Sequence, residues 1–323
     1  MTTLKKLMLI GLLGISILAG CSKAEETKDV TKIGITQIVE YIALDENREG
    51  FLQALKDNGY TEDNLEVDYQ NAQGDLATAQ TIAKNFASQD KDLIFAIATG
   101  SAQGAYNATK ETPILISAVT DPIAAGLAES LEQPNTNVTG TSDYIPVEKQ
   151  VELIKLFVPD AKKIGVLYNT SEINSEVQID QLKEYVKDKG YEIIPLGVSS
   201  TNEVNQAISS LVNKIDILYV PTDQLIVSSM PIIAQKTLEK QIPIIASEKG
   251  SVELGALATQ GINYYKLGYQ TGEMAVRVLK GEDVSKMPIT ISDETDIIVN
   301  EDSLKALSIP KPDIENITYV KTK

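Results

Sequence analysis

Leu93-Ile94-Phe95-Ala96-Ile97-Ala98, the helix-length segment Ser101 to Lys110, and Ile114-Leu115-Ile116-Ser117-Ala118-Val119 together decide the fold. Neither apolar run alternates, so each is a strand buried on both faces, and such strands belong to a parallel sheet with helices above and below it. The segment between them is the crossover that parallel strands require.

The same grammar extends in both directions. Upstream, Ile33 to Thr36 is a strand, and Asp45 to Asn58 is an amphipathic helix with Phe51, Leu52 and Leu55 on one face and Gly59 at its end. Leu65 to Tyr69 alternates as a strand, and Asp75 to Gln89 is a helix. Downstream of Pro146 the pattern restarts. Helices are expected at Val147–Phe157, Glu176–Gly190, Asn202–Val212, Met230–Lys240 and Lys266–Lys280, with strands at Lys163–Tyr168, Tyr191–Pro195, Ile217–Val220, Ile242–Ala246 and Ala256–Ala258. Each half opens with an Ile-Gly strand and a helix closing on Gly-Tyr (Gly59-Tyr60, Gly190-Tyr191). The expectation is two Rossmann-like α/β lobes with parallel sheets. Residues 33–143 form the first lobe, with about 262–282 returning to it; residues 144–261 form the second, with about 283–323 packing on it. Thr139 to Tyr144 and Gly261 to Tyr265 are expected to be the crossing hinge strands.

The N-terminus sets a compartment. Lys5 and Lys6 precede an uncharged run from Leu7 to Gly20, too short for the roughly 20 apolar residues of a membrane-spanning helix. Small residues lead to Leu18-Ala19-Gly20-Cys21, so residues 1–20 are expected to be a secretory signal. Cys21 is the sole cysteine and stands where bacterial lipoproteins carry their lipid, which makes residues 21–32 a lipidated tether and the outer face of the cell membrane the location. The 323-residue chain has a formal charge of −16. Such an acidic surface speaks against nucleic acid or anionic lipid as partners.

Ligands of doubly wound sheets bind at the carboxyl ends of strands, where loops become helix N-termini that favour anions. The candidate stretches are therefore Gln37 to Asp45, Thr99-Gly100-Ser101, Ala118 with Thr120-Asp121, Tyr168-Asn169, Thr222-Asp223 and Ser247-Glu248. The hydroxyls around Gly100 suit a carboxylate but equally cap a helix. Asp223 and Glu248 would suit an ammonium group. Catalysis fares poorly. The chain has no histidine, so no Ser-His-Asp or Cys-His arrangement can be built. It carries no phosphate-binding or dinucleotide glycine motif. Without histidine or a second cysteine the usual zinc and copper sites are missing too, and no cofactor or metal is expected.

An ordered set of residues carries a family resemblance: Gly34 to Asp45, Asp68 to Asp75, Ala98-Thr99, Ala118 to Pro122, Asn137 to Gly140, Val220 to Asp223 and Gly255 to Ala258. Across essentially the whole chain beyond the signal it resembles the ABC-transporter substrate-binding lipoproteins of the tryptophan/tyrosine-binding type. The resemblance implies a type I periplasmic-binding fold, a monomer whose two lobes close on an amino acid for a membrane permease. It implies that the ligand carboxylate meets Thr99, Gly100, Ser101 and Thr120, and that its ammonium meets Asp223 or Glu248. An aromatic side chain would lie near Glu40, Tyr41 and Leu44, with Tyr144 or Tyr168 as further contacts. One departure is Tyr41, where the family pattern would place histidine. Other readings of the residues stay open: a binder of a branched amino acid, nucleoside or sugar, a surface-anchored sensor, or an exported hydrolase.

Overall fold

The computed structural model describes residues 30–292 and 294–323; the expected signal segment, Cys21 and most of the tether lie outside them. The first lobe is built from β1 (Thr31–Gln37), α1 (Ile42–Asp57), β2 (Leu65–Asn71), α2 (Leu76–Ala87), β3 (Leu93–Ile97), α3 (Thr99–Ala108), β4 (Ile114–Ser117) and β5 (Val138–Ser142). The second follows with α4 (Val147–Phe157), β6 (Lys163–Asn169), α5 (Ile173–Val186), β7 (Glu192–Val198), α6 (Thr201–Leu211), β8 (Ile217–Val220), α7 (Gln224–Ser228), α8 (Met230–Leu238), β9 (Ile244–Ala246), α9 (Lys249–Glu253) and β10 (Ala258–Gly261). Then come α10 (Tyr264–Leu279), β11 (Thr290–Ile291), β12 (Asp296–Asn300), α11 (Glu301–Ala306) and β13 (Ile317–Val320).

Apolar runs became buried parallel strands. The first sheet has the order β2-β1-β3-β4-β5-β11, all neighbours parallel. The second runs β7-β6-β8-β9-β10-β12-β13 and is parallel except where β12 meets β10. Every residue of β3 and β4 is buried, as their lack of alternation requires.

Four expectations need correction. The first loop is short, because Ile42, Ala43 and Leu44 already form the opening turn of α1, two of them buried on the face that continues through Asn47 and Phe51. Gly261 to Tyr265 is not a strand: β10 ends at Gly261, and α10, capped by the Asn263 side chain, starts at Tyr264. The β5 strand likewise stays within the first sheet, so the chain crosses between lobes in short linkers after Ser142 and after Gly261. A further crossing lies between Ile291 and Asp296, because β11 adds to the edge of the first sheet before β12 joins the second. The segment 283–323 is therefore shared between the lobes.

The α10 helix packs along α1 with almost no space between backbones. A Cβ at Gly268 would land on the Asn47 carbonyl, and one at Gly50 on the Tyr265 carbonyl. Beneath this seam the Phe51 and Phe95 rings stack with centroids 3.8 Å apart. Burying such a ring is worth about 3 kcal/mol or more against its loss to alanine.

Candidate ligand-binding site

The carboxyl ends of the two sheets face each other across the hinge. There the backbone is strained: Ala98 and Ala118, after β3 and β4, have φ of 73° and 56°. Alanine rarely adopts such values, and residues held there cost about 1–3 kcal/mol each and cluster at ligand sites.

Between the lobes lies a small chamber. From the first lobe and hinge come Tyr41, Leu44, Ala118, Asp143 and Tyr264; the second lobe adds Thr222, Gln224, Val227 and Glu248. It leaves about 20 Å³ for the centre of a water-sized sphere. Beside it a larger, outer cavity of about 470 Å³ is walled by Ile38, Leu76 and Gly100 on one side and Asn169, Glu172 and Leu225 on the other. Gln224 borders both spaces.

Each buried acid of the chamber is paired with a phenol. Tyr41 stands in extended conformation just before α1 and leaves its side chain out of helix capping. Its hydroxyl donates to Glu248 Oε1 across the lobes at 2.6 Å and lies 3.2 Å from Ser251 Oγ. Gly250 makes room for it, since a Cβ there would stand 2.8 Å from that hydroxyl. Tyr264, at the start of α10, donates to Asp143 Oδ2 at 2.8 Å. Burial pushes both carboxyls above their usual range, and burial beside a carboxylate pushes both phenols well above theirs. The phenols are thus neutral donors at pH 7.

The acids differ in what remains to them. Glu248 also caps α9 by accepting from Gly250 N and Ser251 N, so both of its oxygens are engaged. Asp143 Oδ1 is buried without a partner among the described residues, and the same is true of Gln224 Oε1. Two acceptors, Asp143 from the first-lobe side and Gln224 from the second lobe, await donors. Elsewhere the lobes touch directly through Thr120 and Thr222, whose hydroxyls are 2.9 Å apart, and through Lys249 and Glu46, 3.0 Å apart at the rim.

Of the residues expected at the site, Tyr41, Leu44, Ala118, Thr222 and Glu248 meet in the chamber, while Gly100 and Asn169 border the outer cavity. Thr120 holds the seam. Thr99 and Ser101 are buried in the first turn of α3, with Thr36 Oγ1 3.4 Å from the Ser101 hydroxyl. Gln37 is spent on Arg48 and Asp45, fixing the first loop, and Glu40 is exposed. Asp121 caps its own turn through Ile123 N and Ala124 N. Tyr144 and Tyr168 are half-buried outside both cavities. Asp223 is fully buried and serves its own lobe: Oδ1 caps α7 through Ile226 N, and Oδ2 accepts from Asn169 N and Ser175 Oγ. It borders neither cavity, whereas Asp143 lines the chamber. Asp143, Tyr264, Gln224 and Glu172 were not anticipated. Only the position of Asp143, directly after a buried strand at the crossing, could have marked it.

The sequence profile of the family described as "ABC transporter substrate binding protein" matches residues 32–318. A protein of Clostridioides difficile named "Tyrosine-binding protein" is 55% identical over 328 residues, covering 98% of this chain and 95% of that one. Among solved structures, a ligand-free, open substrate-binding protein with adhesive properties from Clostridium difficile is 62% identical, covers 91% of this chain and 100% of its own, and superposes with a TM-score of 0.72. A Streptococcus pneumoniae domain in complex with L-Trp is 35% identical, covers 90% and 100%, and reaches 0.88. Divergence in sequence should lower such a score, yet the more distant relative fits better. In this structure the lobes are in contact across the cleft, through Tyr41 and Glu248 and through Thr120 and Thr222.

Proposed function

The chain belongs to the ABC transporter substrate-binding protein family and has its type I periplasmic-binding fold, and from that premise we propose that it captures an aromatic amino acid, tyrosine or tryptophan, for an ABC importer. As a binding protein it is not an enzyme. In this reading Cys21 carries the lipid that holds it to the outer face of the cell membrane, and the closed form is handed as a monomer to a membrane permease.

The observation that carries the reading is Asp143 Oδ1, a buried carboxylate oxygen without a partner on the wall of an interlobe chamber. A buried carboxyl oxygen without a partner calls for a donor, and a primary ammonium supplies the hydrogen together with a charge that favours the ionised carboxylate. The first turn of α3, where Gly100 opens onto the outer cavity, offers backbone N–H groups to a carboxylate. Leu44, Ile38, Leu76 and Leu225 give an apolar body its surroundings. The names of the relatives support an aromatic body.

Titration of the purified protein by calorimetry tests this. Saturable binding of L-tyrosine or L-tryptophan is expected, abolished by N-acetylation of the ligand and weakened at least tenfold by Asp143→Asn. Response to leucine, a nucleoside or a sugar, with none to the aromatics, refutes it. Cys21→Ala should release the protein from the membrane fraction.

A further inference from the structure

Gln224 is placed as though to read a feature of the ligand that Asp143 cannot. Its amide oxygen is buried and has no partner among the described residues. Its position is fixed from several sides. Its backbone N donates to Glu172 Oε2 at 2.9 Å, its carbonyl accepts from Ser228 Oγ at 2.6 Å, and the preceding Asp223 caps the helix that Gln224 opens. Gln224 lines both the chamber that holds Asp143 and the outer cavity lined by Ile38, Leu76 and Leu225.

The volumes constrain the ligand's path. The chamber is much the smaller space and Gln224 borders both, so with an amino group on Asp143 a ring directed toward the larger outer cavity passes Gln224. A ligand that satisfies both orphan acceptors carries a cationic donor at one end and a neutral donor on its body. Tyrosine has the phenol O–H and tryptophan the indole N–H; phenylalanine has neither.

We propose that Gln224 is a specificity-determining residue, its buried amide oxygen accepting the hydrogen bond of the ligand's ring donor, so that the site selects aromatic amino acids bearing an O–H or N–H over phenylalanine. This rests on the aromatic amino-acid reading given above. A site built around a hydrogen bond rejects the analogue lacking it, because the acceptor is then buried unpaired, whereas an apolar slot discriminates only weakly.

The test is a matrix of three ligands against three proteins. L-tyrosine, L-tryptophan and L-phenylalanine are titrated into the parent chain, Gln224→Met and Gln224→Glu. The parent should bind tyrosine and tryptophan at least tenfold tighter than phenylalanine. Gln224→Met should weaken the first two about tenfold or more and leave phenylalanine within about twofold, which also shows that the variant folds. Gln224→Glu retains an acceptor and should retain the preference. Equal parent affinities for all three ligands would overturn the proposal, as would equal losses for all three in Gln224→Met, the pattern of a contact to the shared carboxylate. Binding of none of them would overturn the aromatic reading itself, and this inference with it.

Discussion

The two jaws of the cleft are built on opposite principles. In the first lobe α1 and α10 meet backbone to backbone at Gly50 and Gly268, and each presents a tyrosine from its first turn or the residue before it. In the second lobe the facing elements are the five-residue helices α7 and α9, held by the carboxylates of Asp223 and Glu248. One jaw is positioned by shape and the other by hydrogen bonds to charge. The difference teaches that an acid at a strand end must first be asked what it does for its own helix. Asp223 and Glu248 have answered that question; Asp143 has not.

Breaking the shaped jaw should have the largest effect. Gly268→Ala forces a methyl group against the Asn47 carbonyl, and a loss of about 3 kcal/mol is expected, read as a lower midpoint in denaturant. Next comes the charged jaw: Asp223→Ala removes the cap of α7 and leaves Asn169 N and Ser175 unpaired, for about 2 kcal/mol by the same measurement. Midpoints that respond equally little to both changes would erase the contrast.

A smaller effect sharpens it further. Burial, with Asp223 beside it, raises the Glu172 carboxyl above its ordinary range, and burial raises Asp223 as well. The folded second lobe therefore holds protons that the unfolded chain has released, and its stability is fully present below the ordinary carboxylate pKa of about 4.5 and falls as pH rises above it. Thermal midpoints should decline between pH 5 and 8, and Glu172→Gln should flatten that decline. A slope unchanged by the substitution would place the proton elsewhere.

The sheets were legible because their signal is local: runs of five or six apolar residues, rich in isoleucine and valine and alternating with helix-length segments, are strands covered on both sides. Tyr41, Leu44, Ala118, Thr222 and Glu248 were legible because a strand's end in a doubly wound sheet is a place known in advance. What escaped is decided at long range. Asp223 is engaged by Asn169 and Ser175, about fifty residues away in the chain, and nothing around Val220 announces those partners. The helical place of Tyr264 is hidden in the sequence because Asn263, a helix cap, resembles any other polar loop residue. Gln224 sits beside the more conspicuous Asp223, and what distinguishes it, a buried amide oxygen without a partner among the described residues, is visible only in three dimensions.

The excursion of the chain out of the second lobe into α10 has a consequence for how the molecule can be assembled. Phe51 and Gly50 gain the surface they are shaped for only when residues 264–279 exist, and the first sheet gains its last edge at Ile291. A growing chain that has finished every other strand of the first sheet still has an uncovered α1. Completion of the earlier lobe thus waits on sequence written after the later one, and no single cut between the lobes yields a fragment containing either lobe whole.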